Sequence, residues 1–170
     1  MDDLPIGGNM LKYNFNKKLL IEMKKAVESD AEVRVGILAG NTPHQTESGE
    51  SISMGTLAAV HEYGSMTRGI PERSFLRSTY QNRMDDFIEF IGENRRKIGL
   101  EITKMGESFV LNKIGAWWVN AVNETFEAQG PDWAELSPEY RERKEEQYPD
   151  AKILMSTGAL RRAVTHEVVE

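Results

Sequence analysis

The chain contains no cysteine among its 170 residues. Disulfide scaffolds, thiolate metal sites and cysteine nucleophiles are therefore excluded, and the absence fits assembly in a reducing cytoplasm. No apolar run comes near the roughly 20 residues that a bilayer span needs. The acidic opening Met1-Asp2-Asp3-Leu4-Pro5 has no apolar core of a signal peptide. The expectation is a soluble protein made inside the cell, with no membrane partner. Positive charge is short too: 21 Lys and Arg stand against 27 Asp and Glu, a net charge of −6. A general nucleic-acid coat needs clustered cations. The two clusters present, Arg95-Arg96-Lys97 and Arg161-Arg162, read first as solvated faces or helix ends.

Catalytic patterns are equally sparse. His44, His61 and His166 lie far apart, and His61-Glu62 meets Ser65 where a zinc-protease helix would place its second histidine. Gly36 and Gly40 are not followed by the Gly-Lys-Ser/Thr ending of a phosphate-binding loop. Ser108 and Ser137 lack the glycines of a nucleophile elbow. The pairs Asp85-Asp86 and Glu145-Glu146 point about 100° apart on a helix, which makes them solvated faces and not an acid–base pair. No catalytic, cofactor-binding or metal site is expected, and the protein reads as a non-enzyme.

What the chain does have is organised. Residues 1–12, with Pro5, Gly7 and Gly8, read as a flexible arm before one domain over 13–170. Phe15, Leu19, Leu20, Met23 and Ala26 recur at helical spacing up to Ser29. Ala31 to Leu38 alternates as a strand does. The stretch 39–53 lacks apolar residues until Ile52 and reads as a mobile loop. A short helix from Thr56 to Tyr63 should stop at Gly64, and Pro71 ends the turn that follows.

A long helical segment then runs from Ser74 to Phe126. Met84, Ile88, Ile91, Arg95, Ile98, Ile102, Met105 and Phe109 form a heptad seam with one interruption. Gly92, Gly99 and Gly106 recur every seventh residue beside it. Each costs up to about 1 kcal/mol of helix propensity. Either a neighbouring backbone approaches there or the helix kinks or breaks near Gly99. Of the adjacent Trp117 and Trp118, one fits a core position and the other an interface anchor. Ser137-Pro138 reads as an N-cap with proline in the first turn of a charged helix. Thr157-Gly158 reads as a tight turn leading into a terminal strand that carries Val164, His166 and Val168. The fold class expected is α+β, a small antiparallel sheet of 33–38 and the C-terminal strand packed on long helices.

Four phrases stand out in order: His61-Glu62-Tyr63-Gly64, Ile70-Pro71-Glu72-Arg73-Ser74-Phe75, Trp133 through Lys144, and Leu154-Met155-Ser156-Thr157-Gly158-Ala159-Leu160-Arg161. In that order the chain resembles the virion-morphogenesis family (tail-completion or neck proteins) of tailed bacteriophages over about residues 33–170. Ser74 stands where many relatives have proline, and Ser156 where they usually have aspartate. The resemblance implies a structural virion protein of the head–tail junction, completing the tail or joining it to the DNA-filled head as part of a ring. Its implied partners are copies of itself and other neck, connector and tail proteins. DNA would pass through the ring without specific binding, and assembly would take place in the bacterial host cytoplasm. The alternatives are a tail terminator that caps tail-tube polymerisation and a DNA-packaging accessory that uses the basic clusters. The motif or interface candidates are His61, Glu62, Tyr63, Gly64, Pro71, Arg73, Phe75, Trp117, Trp118, Trp133, Thr157, Gly158, Leu160 and Arg161.

Overall fold

Alternation along residues 32–36 puts Val33 and Val35 partly inside and Glu32 and Arg34 outside. In the computed structural model, which describes residues 29–38, 43–45, 49, 51–149 and 152–169, this strand is β1 (Glu32–Gly36). It pairs antiparallel with β4 (Thr165–Val169), Val33 opposite Val168 and Val35 opposite His166. The inner face of the sheet rests on helix α3 (Glu107–Glu127). A two-stranded sheet is marginal in water, so this helix provides the cover it needs. The α+β architecture is thus as expected. The arm at 1–12 and the expected helix before Ser29 lie outside the described residues.

Gly115 shows how close the cover comes. A Cβ added there would fall 2.9 Å from the Cβ of His166 and nearer still to its ring. Gly115→Ala is therefore expected to push β4 off the helix and cost about 1–3 kcal/mol, as overpacking does. Urea unfolding followed by circular dichroism checks this. A midpoint equal to that of the parent would show that the strand moves freely.

The stretch 39–53 differs from the expected loop. Among its described residues, β2 (Pro43–Gln45) pairs with β3 (Ser51–Ser53), His44 facing Ile52. Ser53 then caps α1 (Met54–Tyr63), its Oγ accepting from Thr56 N at 3.0 Å. Helix α1 stops where Gly64 takes a positive φ of 71°. A Cβ at Gly64 would lie 2.8 Å from Glu72 N and 2.9 Å from Ile70 O. The glycine thus lets the chain return against the helix end through a 3-10 turn at Met66–Arg68.

The long segment is two antiparallel helices, α2 (Arg77–Met105) and α3, reversed at Gly106 with φ 89°. Thr79 and Thr125 hydroxyls meet at 2.6 Å, Arg83 pairs with Glu124 at 2.8 Å, and Lys113 with Glu101 at 2.8 Å. This corrects the break expected near Gly99. A pairing of 101 with 113 must turn close to 107, and Gly106 is the glycine standing there. Gly92 and Gly99 stay helical with open space where a Cβ would sit, so no described backbone approaches them. The heptad seam does not bury as a seam: Ile88, Met105 and Phe109 are exposed. Of the 29 residues of α2 only Thr79 is buried. The hairpin is anchored at its base and stands away from the core beyond it.

That core gathers Met54, Phe75, Val122, Phe126, Trp133, Ile153, Leu160 and Val164 around the hairpin base. The remaining helices are α4 (Pro138–Gln147) and the single turn α5 (Ala159–Arg162). As expected, Ser137 Oγ caps α4, accepting from Tyr140 N at 3.3 Å, with Pro138 in the first turn. No helix among the described residues is long and apolar enough to cross a membrane.

Candidate functional site

The N-cap residue of helix α2, Leu76, has no side-chain acceptor and Ser74 Oγ takes only Ser78 N at 3.0 Å, while the first N–H groups of a helix need acceptors. Glu62, at the end of α1, provides them from 13 to 15 residues upstream. Its carboxylate accepts from Phe75 N and Leu76 N at 2.9 Å each, from Arg77 N at 2.9 Å and from Ser74 Oγ at 2.6 Å. The group is buried, and burial alone would raise its pKa. The bonds from Leu76, Ser74, Arg77 and Phe75 outweigh that effect and hold the carboxyl below its ordinary value.

Arg73 makes the next link. Its N–H donates to His61 O at 2.8 Å, and its buried guanidinium donates to Ala134 O at 2.8 Å and Glu135 O at 3.2 Å. Trp133 completes the node, its indole N–H donating to Ser74 O at 2.8 Å while its ring meets Phe126 edge-on at 5.8 Å. Phe75 is fully buried, 5.0 Å from Phe126. The last phrase is tied in similarly. Gly158 is left-handed and Thr157 Oγ1 accepts from Ala159 N at 3.2 Å. Leu160 enters the core, and Arg161 donates to Asn123 Oδ1 at 3.3 Å and pairs with Glu127.

These braced residues wall an open groove of about 1330 Å³. His61, Pro71, Arg73, Thr157, Gly158 and Leu160 all line it, with Leu57, Leu136, Tyr140, Lys144, Tyr148 and Leu154. Lys144 is a buried lysine whose ammonium donates to Lys152 O at 2.7 Å. Its only sequence signal is its place at the end of the Trp133 phrase. His44 and Gln45 add the β2 edge; with Ile52 the one apolar side chain apart from Pro43 in its two strands, that hairpin left no periodic pattern. The other candidates lie elsewhere. Tyr63 is exposed beneath the Arg77 guanidinium, 5.6 Å away. Trp117 and Trp118 are both half-buried between the long helices. Phe87 lies 5.2 Å from the first and 5.1 Å from the second, and Tyr80 stacks on Trp118 at 5.6 Å. Neither ring takes the core position expected for one of them; the two share an aromatic cluster.

His61 is a perturbed titrating group of the groove. Burial first, then the charges of Arg73 and Lys144, lower its pKa to about 4. Its Nδ1 is buried without a hydrogen-bond partner among the described residues. The unfolded chain binds this proton at about 6.5, before the folded one does. Stability from His61 is therefore full above pH 6.5 and is lost as the pH falls toward 4. His61→Gln is expected to flatten the urea midpoint across that window; an unchanged slope would assign the acid sensitivity to other groups. Among the described residues no group of three metal-binding side chains occurs.

Comparison with family models, curated proteins and solved structures finds no match to the chain.

Proposed function

We propose that this chain is a structural protein of the phage head–tail junction, completing the tail or joining it to the DNA-filled head as one subunit of a ring. One observation carries the reading. The four phrases on which the resemblance rests are far apart in sequence, yet the first three interlock through Glu62, Arg73 and Trp133, the fourth joins them in the core through Leu160, and residues of all four line a single groove. Their order is thus tied to one piece of architecture, which supports reading them jointly and not as four chance matches. The partners on this reading are further copies of the chain and the neighbouring neck, connector and tail proteins, with DNA passing through unbound. A chain of net charge −6 suits a conduit wall to which DNA does not adhere.

The test is electron microscopy of lysates from phage lacking the gene. DNA-filled heads beside separate tails of normal length are the expected result. Abnormally long tails would make the protein a tail terminator instead. Intact infectious particles would overturn the structural reading and return weight to a DNA-packaging accessory.

A further inference from the structure

We propose that α2 of one copy packs antiparallel along α2 of a second copy, in a twofold dimer centred beside Glu93. The inference goes beyond the ring reading above and does not depend on it. Helix α2 packs along α3, and of its residues only Thr79 is buried. The heptad seam on its outer side is left half-covered or bare. Met84, Ile91, Ile98 and Ile102 are half-buried. Ile88 keeps 61% of its accessible area and Met105 keeps 62%.

Charge decides which partner fits. From 85 to 93 the helix carries four carboxylates, Asp85, Asp86, Glu89 and Glu93, and no cation. From 95 to 104 it carries four cations, Arg95, Arg96, Lys97 and Lys104, against Glu101, which is already paired with Lys113 at 2.8 Å. The four carboxylates and four cations are all exposed. Asp86 pairs with Arg83 at 2.7 Å, and the others make no ion pair among the described residues. Asp85, Glu89 and Glu93 also stand four apart, a like-charged row that weakens a helix left alone. A second α2 laid parallel would set acid on acid and base on base. Laid antiparallel, it sets the acidic half of each copy on the basic half of the other. The surface is complementary to itself, so the partner it fits is another copy of this chain.

The seam fixes the register. Residue 93 is the midpoint of Met84 and Ile102, of Ile88 and Ile98, and of Ile91 and Arg95. A twofold axis beside it therefore stacks these pairs as layers across the contact, apolar on apolar except at the two central ones. There Arg95 meets Ile91 and lies within one turn of Glu89 of the second copy. Glu89 falls level with Lys97 and beside Arg96. Gly92 and Gly99, with open space where a Cβ would sit, flank the seam and let the second backbone come close. Such a contact is isologous and closes at two copies. It joins pairs of subunits and does not propagate.

The absence of cysteine makes the test clean. Purified full-length Ile88→Cys and Ile98→Cys proteins, mixed and oxidised, are expected to give a disulfide-linked heterodimer, and neither alone a comparable product. A disulfide requires Cα atoms within about 7 Å, so the link reports the register. The double variant should stop at a doubly linked dimer. Asp85→Lys with Glu89→Lys should weaken self-association about tenfold in sedimentation equilibrium, and so should Arg96→Glu with Lys97→Glu. These two proteins mixed should associate again. All four positions are exposed, and circular dichroism equal to the parent's shows that the variants keep the fold. A parent chain that stays monomeric at high concentration would overturn the proposal. So would Ile88→Cys linking to itself, which marks a parallel pair, or association indifferent to the charge reversals. Association is read on the isolated chain. Its failure therefore leaves the lysate test standing, and intact phage in that test would leave the dimer standing.

Discussion

Trp133→Ala is expected to lower the folding free energy by about 3–5 kcal/mol, the range for removing a large core aromatic. Native domains hold only about 5–15 kcal/mol in all, so the variant should sit near the edge of folding. The cost has three sources. The indole is 8% exposed and fills the core between Phe126 and the turn at Gly130. Its N–H satisfies Ser74 O at 2.8 Å. It also fixes the chain leading into Ala134 and Glu135, whose carbonyls receive Arg73. Trp133→Phe keeps part of the packing and removes one of the two donors to Ser74 O, the other being Ser78 Oγ, so the lost hydrogen bond should cost about 0.5–1.5 kcal/mol on that account. Urea unfolding of both variants gives the order. An alanine variant as stable as the phenylalanine one would show that the ring does not hold the node together.

Glu62→Ala is expected to cost a similar 3–5 kcal/mol, because it strands Phe75, Leu76 and Arg77 N–H groups and the Ser74 hydroxyl where water has little access. The carboxylate also faces the positive end of the α2 dipole. Glu62→Gln should lie between, since one oxygen becomes a donor aimed at donors. The pH response separates charge from shape. The folded pKa is depressed, so the stabilisation is present above the ordinary carboxylate value of about 4.5 and is lost as pH falls through the folded value below it. The parent should weaken along that descent while Glu62→Gln stays flatter. Parallel curves for the two would mean that the charge contributes nothing.

Much of this architecture is legible from local pattern. Period-2 alternation marks Val33 and Val35, Gly64 marks the end of α1, and Ser137-Pro138 marks the start of α4. The features that escape are set by partners distant in sequence. Gly92, Gly99 and Gly106 have equal helix propensity, and only the antiparallel pairing of 101 with 113 selects Gly106. The hairpin of β2 and β3 has three residues per strand, too few for a period. Glu62 looks like any helix-end acid until the chain returns and brings the N-terminus of α2 onto it. The phrases themselves could be read, but that Glu62, Arg73 and Trp133 act as struts between them required the hydrogen bonds. Trp117 and Trp118 were resolved by Phe87, which reaches them from the opposing helix thirty positions upstream.

The pairing of β1 with β4 has a kinetic consequence. These strands are the first and last described elements of the chain. Every residue between them must be spanned by one loop closure whose entropy is met only when β4 arrives. During synthesis β1 emerges early and waits with its edge groups unmatched, while α3 and the node around Trp133 can already assemble. The sheet is thus a latch that shuts last, and a nascent chain stalled before Thr165 would carry a formed core beside an open strand.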